Sequence, residues 1–129
     1  DPAHPVRELE LDDDGVTLKS IVDGAMIRMT PEESIRVQNL LGPDIIMAFD
    51  ECAPYPADHA HVLAAMERTH RWAARCREHW ARRRAEQPEL YGQLFGIVQG
   101  GVHPDLRTAS AEAIMALDFP GIAIGGVSV

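Results

Sequence analysis

Cysteine is scarce in this 129-residue chain, and its scarcity excludes two kinds of structure. The two thiols, Cys52 and Cys76, belong to no CxxC pair. A disulfide framework or a cysteine zinc site within the chain is therefore not expected. Both cysteines are predicted to be reduced, as is usual in the cytoplasm.

Long apolar runs are also missing. No stretch of roughly 18 uninterrupted apolar residues occurs, so no membrane-spanning helix is predicted. The first five residues, Asp1 to Pro5, contain neither the basic region nor the apolar core of a signal peptide. The chain also lacks repeats, low-complexity tracts and long linkers. We interpret it as about one domain of a cytoplasmic protein without a membrane partner.

Basic residues are outnumbered, with 12 Lys and Arg against 20 Asp and Glu. The formal charge of −8 argues against a protein that coats nucleic acid nonspecifically.

Seven of the twelve basic residues lie between Arg68 and Arg84. If this part of the chain is a helix, its spacing places a stripe of mostly apolar residues on one face and several arginines on the opposite face. The stripe contains Val62, Met66, Thr69, Ala73, Cys76 and Trp80. The basic face contains Arg68, Arg71, Arg75 and Arg82. We interpret this face as the solvated outside of a core-packed helix; a phosphate-contacting face is the alternative.

The pattern of the chain changes near Thr30. Before it, the runs 16–22 and 25–29 have β character and are joined by Asp23-Gly24, a dipeptide typical of a two-residue type I′ turn. Residues 1–30 are therefore predicted to form a β-hairpin region, and residues 31–129 an α/β segment, of one partial domain.

Strands and helices alternate after Thr30. The sequence Thr30-Pro31-Glu32-Glu33 is a capping box that predicts a helix running to Leu41, and Gly42-Pro43 ends it. The elements predicted next are a strand over 44–49, a helix over 58–85, a strand over 93–99, a helix over 104–117 and a strand over 121–125. This βαβαβ order indicates a parallel sheet covered on both faces.

Each predicted parallel strand ends in polar groups or bare backbone. Asp50 and Glu51 follow the first strand, Gln99 and Gly100 the second, and Gly125-Gly126 the third. The carboxyl ends of parallel strands share one rim, where barrels and doubly wound sheets place their sites. A carboxylate there can accept two N–H bonds from a guanine-like edge, and glycines let backbone approach a flat ligand. Each feature alone is more typical of a turn or helix cap, but together they favour a heterocycle pocket.

The remaining candidates for chemistry are weaker. His59 and His61 are two residues apart and point away from each other on a helix, so no metal site is assigned. Cys76 is interpreted as a small core residue, and Trp72 and Trp80 as side chains that pack against the sheet rather than stack on bases.

Three segments resemble successive motifs of the tRNA-guanine transglycosylases: residues 49–57 (FDECAPYPA), 95–101 (FGIVQGG) and 123–127 (AIGGV). The order and spacing of the match extend over essentially the whole chain. The resemblance implies a segment of a (β/α)8 TIM barrel. It also implies a transferase, a pentosyltransferase that exchanges guanine at the tRNA wobble position for a 7-deazaguanine in queuosine biosynthesis.

The resemblance also implies roles for individual residues. Asp50 corresponds to the acid that grips the guanine edge and Gln99 to the amide that reads the same base. Gly126 corresponds to a backbone donor to the base carbonyl and Cys52 to a pocket wall, while the carbonyl of Val127 would meet a 7-aminomethyl group. The implied substrate-binding residues are Asp50, Cys52, Gln99, Gly100, Gly125, Gly126 and Val127.

Val129, a branched residue at the end of the chain, matches the bacterial version of the family. The resemblance therefore implies that preQ1, the aminomethyl-deazaguanine, is the incoming base. The implied partners are tRNA and guanine or preQ1, and a homo-oligomer is expected because a partial barrel leaves sheet edges unpaired.

The family's aspartate nucleophile, its second essential aspartate and its structural zinc ligands belong to motifs not found in this chain. No catalytic residue, metal ligand or cofactor is therefore assigned to it. The alternative function is a non-catalytic truncated paralogue or partner subunit that binds base or tRNA without turnover. An unrelated barrel enzyme acting on a phosphorylated metabolite is disfavoured, because no Gly-rich phosphate motif opens a helix.

Overall fold

The computed structural model describes residues 9–90 and 92–128. Within them, an antiparallel sheet contains β1 (Leu9–Leu11), β2 (Val16–Lys19) and β3 (Met26–Met29). A parallel sheet contains β4 (Ile45–Met47), β5 (Gln93–Val98) and β6 (Gly121–Ile124). The helices are α1 (Pro31–Leu41), α2 (His59–Glu86) and α3 (Pro104–Ala116). None of these described helices is long and apolar enough to cross a bilayer.

The βαβαβ order and its boundaries are confirmed to within two residues. The Thr30 hydroxyl accepts from the Glu33 N–H at 3.1 Å, as an N-cap does. The Glu33 carboxylate pairs with Arg36, so the reciprocal half of the predicted capping box does not form. Gly42 ends α1 with a φ of 69°, in the left-handed region that favours glycine.

The predicted two-residue turn at Asp23-Gly24 is wrong. Ser20 N–H donates to the Ala25 carbonyl at 2.8 Å, which encloses a four-residue loop. A type I′ turn needs positive φ at both central residues, and of this pair only Gly24 has it, at 75°. The Asp23 carboxylate instead accepts from the Ala25 N–H. The strand β1, which the sequence pattern did not predict, completes the sheet.

Within residues 9–90 and 92–128, all three helices pack on one face of the parallel sheet. Ile46 and Leu94 pack with side chains of α1 and α2, and Val98 packs with α2 and α3. On the other face Ile45 is 51% exposed. The strand order β4-β5-β6 advances in one direction, and right-handed crossovers then place both α2 and α3 on the same face.

The stripe predicted on α2 is confirmed as the part of the helix that packs into the core. All six of its members are less than 9% exposed: Val62, Met66, Thr69, Ala73, Cys76 and Trp80. Trp72 is fully buried as well, and its ring stacks on Phe49 at a centroid distance of 4.9 Å. The packing role predicted for both tryptophans is thus confirmed.

The basic face of α2 is not simply solvated, which corrects the preferred interpretation. The turn between β1 and β2 lies against it, and Asp13 pairs with Arg68 at 3.3 Å and with Arg71 at 3.0 Å. The Trp72 indole N–H donates to the Asp13 carbonyl at 2.7 Å. Arg75 forms a bidentate ion pair with the carboxylate of Glu32 on α1. These pairs attach the antiparallel sheet and α1 to α2.

The Arg75–Glu32 pair leads to a stability prediction. Hydrogen bonding to Arg75 lowers the pKa of Glu32, so the stabilisation is present above 4.5 and lost as pH falls through the folded-state pKa. Arg75→Gln is expected to lower the free energy of unfolding by roughly 0.5–1 kcal/mol at neutral pH, a value limited by solvent screening. Urea denaturation of both proteins at neutral pH and at about pH 3 measures this, and the difference should shrink in acid.

Arg82 provides the matched control because its side chain contacts His79 on its own helix. Arg82→Gln is expected to change stability less than Arg75→Gln at neutral pH. Equal effects of the two substitutions would show that the contact with α1 does not stabilise the fold.

Candidate functional site

The ends of β4 and β5 bring Asp50 and Gln99 together. Gln99 Nε2 donates to Asp50 Oδ2 at 2.6 Å, and the Gln99 residue is 4% exposed. An ionised carboxylate only accepts hydrogen bonds, so this contact fixes which end of the amide faces Asp50. The amide oxygen of Gln99, Oε1, therefore faces away from Asp50 and can accept a hydrogen bond from another group.

The environment of Asp50 changes its acidity. Burial raises the pKa of this carboxyl above 3.8, and the hydrogen bond from Gln99 opposes the shift. A partly buried acid that can accept more than one hydrogen bond suits a ligand that offers N–H groups.

Two glycines allow backbone to lie close to this pair, and a third lets the loop after β5 lie close to α3. A Cβ on Gly125 would lie 2.6 Å from Gln99 Nε2, and one on Gly126 would lie 3.2 Å from Gln99 Oε1. A Cβ on Gly100 would lie 2.7 Å from the backbone nitrogen of Arg107 on α3. Any side chain at Gly125 would therefore displace the amide of Gln99.

The other predicted site residues lie at the exposed edge of this group. Val127 is 72% exposed, and Cys52 is exposed with its Sγ 3.8 Å from the Ala53 carbonyl. Val129, on which the prediction of preQ1 depended, lies outside the described residues. The structure thus brings Asp50, Gln99, Gly125 and Gly126 together and leaves Cys52 and Val127 at the exposed edge of this group.

Side chains of α2 hold the loop that carries Asp50. The Thr69 hydroxyl accepts from the Glu51 N–H at 3.0 Å and donates to the Glu51 carbonyl at 3.2 Å. The Glu51 carboxylate pairs with Arg68 at 2.8 Å. The Phe49 N–H contacts the sulfur of Cys76 at 3.4 Å. Asp50 is therefore flanked on both sides by backbone anchored to the helix.

A small pocket lies between this loop and the loop after β5. Its polar lining includes Glu51, Tyr55, Gln99 and His103, and Gly126 closes one side. Within the described part of the chain, His103 Nε2 is buried and has no hydrogen-bond partner. The pocket lining therefore contains, in addition to Gln99, a histidine with an unused polar atom.

Comparison with known proteins supports the family suggested by the motifs. The family described as Queuine tRNA-ribosyltransferase matches residues 3–129. The chain belongs to this family. A queuine tRNA-ribosyltransferase of Gloeobacter violaceus is 59% identical over 119 residues, which are 92% of this chain and 30% of that protein. One of Herpetosiphon aurantiacus is 58% identical over 120 residues, 93% of this chain and 29% of that protein.

Another queuine tRNA-ribosyltransferase, from Acetivibrio thermocellus, is 52% identical over 120 residues. The chain thus spans about 30% of the length of the relatives it matches. Queuine tRNA-ribosyltransferases are pentosyltransferases with a TIM-barrel fold. The parallel β/α units from β4 to β6 are of the kind such a barrel contains.

Sequence reasoning missed the side chains on α2 and α3 that hold the carboxyl-end rim of the parallel sheet. Ser110 is fully buried, and its hydroxyl accepts from the Gln99 N–H at 3.0 Å. His70 Nε2 lies 2.9 Å from the same oxygen, and burial lowers the pKa of this histidine. Arg107 donates to the Gly125 carbonyl at 2.8 Å. One signal was available in the sequence. Thr69 is a polar residue within the stripe of α2 that packs into the core, and its hydroxyl could have been expected to need a hydrogen-bond partner there.

The structural zinc implied for the family does not fit the described residues. Among residues 9–90 and 92–128, no three His, Cys, Asp or Glu side chains are grouped so that they could hold a metal ion. His59 pairs with Asp105 at 2.7 Å. The two cysteines are separate, one exposed and one buried.

Proposed function

We propose that this chain is the base-recognition segment of a tRNA-guanine transglycosylase that exchanges guanine at the tRNA wobble position for preQ1. The observation that carries the proposal is the partly buried hydrogen bond between Asp50 and Gln99 at the rim formed by β4 and β5. A carboxylate beside an oriented amide matches a guanine-like edge, which presents adjacent N–H donors and a carbonyl acceptor.

Each group at the rim has a distinct role in this proposal. Asp50 accepts from the N1–H and 2-amino groups of the base, and Gln99 bonds the same base. The N–H of Gly126 donates to the base carbonyl, and the Val127 carbonyl receives the 7-aminomethyl group of preQ1. Cys52 and Gly100 complete the wall. The target base reaches this wall after leaving its stack in the tRNA.

The chain spans about 30% of the length of its relatives. The reaction centre is therefore proposed to come from another part of a longer protein. The strands β4, β5 and β6 would then be three of about eight in a closed barrel. Ile122 and Ile124 of β6 are 41% and 62% exposed, and they lie on the same face of the sheet as Val98, where a further helix of the barrel would cover them.

Calorimetric titration of the purified chain with preQ1, guanine and adenine tests the proposal. We expect preQ1 and guanine to bind and adenine not to bind, because adenine presents no N1–H to Asp50. Binding of adenine with equal affinity would contradict the assigned base recognition.

Base binding is also expected to depend on pH. Burial raises the pKa of Asp50 above 3.8, and only the ionised carboxylate accepts both N–H groups of the base. Affinity should therefore be constant at neutral pH and fall as the pH is lowered through this raised pKa. Titrations at several pH values, each checked for intact fold by circular dichroism, measure the effect. A pH-independent affinity in folded protein would refute the role of Asp50.

A further inference from the structure

Helix α3 reaches the end of β6 through Arg107. Its Nη1 donates to the Gly125 carbonyl at 2.8 Å. On the other side of the same residue, the Gly125 N–H donates to the Val98 carbonyl at 2.8 Å. A Cβ on Gly126 would lie 3.4 Å from Arg107 Nη1. The guanidinium group therefore lies directly against the Gly125-Gly126 backbone.

The carbonyl of Gly125 and the N–H of Gly126 belong to one peptide unit. This unit is planar and trans, so its C=O and N–H point in opposite directions. A hydrogen bond that fixes the carbonyl of Gly125 consequently fixes the direction of the Gly126 N–H. Neither glycine has a side chain that could restrict the backbone, and Gly126 has a φ of 70°. A contact from outside the strand is needed to hold this peptide in one orientation.

The charge of Arg107 has a second effect on the same unit. A cationic donor draws electron density toward the carbonyl oxygen, and hydrogen bonds that share a polarised group strengthen one another. The N–H of Gly126 thereby becomes a better donor. A lysine at this position would keep the charge without the planar fork of N–H groups.

We propose that Arg107 is a positioning residue that aims and polarises the Gly126 N–H, and so makes the site selective for bases with a carbonyl acceptor. The proposal rests on the proposed function, because it assigns the Gly126 N–H to the base carbonyl. Arg107 acts through the peptide and does not itself contact the base.

The test compares guanine with 6-thioguanine, which keeps the N1–H and 2-amino groups but replaces the carbonyl oxygen by sulfur, a weak acceptor. Binding of each base is measured for the wild-type chain and for Arg107→Met, which keeps an unbranched side chain but removes the charge and the N–H donors. Arg107→Met is expected to weaken guanine binding about tenfold and 6-thioguanine binding by less than about threefold. A structural role alone would weaken both equally and would overturn the proposal, as would unchanged guanine binding.

Arg77 provides the matched control because it also donates to a backbone carbonyl, that of Asp118, at 3.1 Å. Asp118 precedes β6, whereas Gly125 follows it, so the same kind of contact is removed at the opposite end of one strand. Arg77→Met is expected to leave the affinity for both bases unchanged. If Arg107→Met does not fold, Arg107→Lys takes its place, with the same preferential loss of guanine binding expected.

A second measurement needs no bound base and separates this proposal from the proposed function. In an NMR spectrum of the labelled chain, Arg107→Met is expected to shift the Gly126 amide resonance, while the Gly121 amide resonance stays in place. An unchanged Gly126 amide would overturn the role of Arg107 even if guanine binds. Absence of guanine binding by the wild type, with the Gly126 amide perturbed as expected, would count against the proposed function and not against the positioning of the peptide.

Discussion

Asp50→Asn is expected to weaken guanine and preQ1 binding by roughly 1–3 kcal/mol while the fold stays intact. The amide replaces one acceptor by a donor that faces the N–H groups of the base. Its remaining oxygen can still accept from Gln99 Nε2, so the contact at the rim need not be lost. The loss corresponds to about 5-fold to 150-fold in affinity, measured by calorimetry.

The same substitution should not reduce stability. Burial raises the pKa of Asp50, so its ionised form is disfavoured in the folded state relative to the unfolded state. This unfavourable contribution is absent below 3.8 and develops as pH rises through the folded-state pKa. Asp50→Asn is therefore expected to unfold at an equal or higher temperature at neutral pH. Unchanged base affinity in this folded variant would refute the assigned role.

Thr69→Val is expected to lower both stability and base affinity. Valine keeps the shape of threonine but removes the hydroxyl that bonds both the N–H and the carbonyl of Glu51. Thr69 is 1% exposed, so the freed backbone groups would be left without this partner at a cost of roughly 1–3 kcal/mol. Asp50 precedes Glu51, and a looser backbone there should weaken base binding several-fold, because recognition depends on orientation.

Thr69→Ser is the control for this prediction. It keeps the hydroxyl and removes one methyl group, with an expected cost of about 1 kcal/mol in stability. Urea denaturation measures stability and calorimetry measures base affinity for both variants. Equal base affinity in Thr69→Val and Thr69→Ser would show that the clamp on Glu51 does not position Asp50.

Local sequence signals predicted the α/β part of the molecule well. Thr30, Pro31 and Gly42 define the ends of α1 through contacts within a few residues, which spacing alone can indicate. The same holds for α2, because a helical period decides which of its side chains share a face. In the N-terminal part the predicted hairpin of β2 and β3 is confirmed, but its two-residue turn was wrong, because the loop after Ser20 depends on several side-chain contacts that compete with that turn.

The sequence by itself determined the order of the elements, the stripe of α2 that packs into the core, and the placement of Asp50, Gln99, Gly125 and Gly126 at the ends of strands. These follow from periodicity and from the rule that parallel strands share a rim. Only the tertiary structure decided which groups hold that rim: Thr69 on Glu51, Ser110 on Gln99, and Arg107 on Gly125. Such pairs join residues far apart in the chain, and their formation depends on how the helices pack on the sheet, which spacing along one element does not specify.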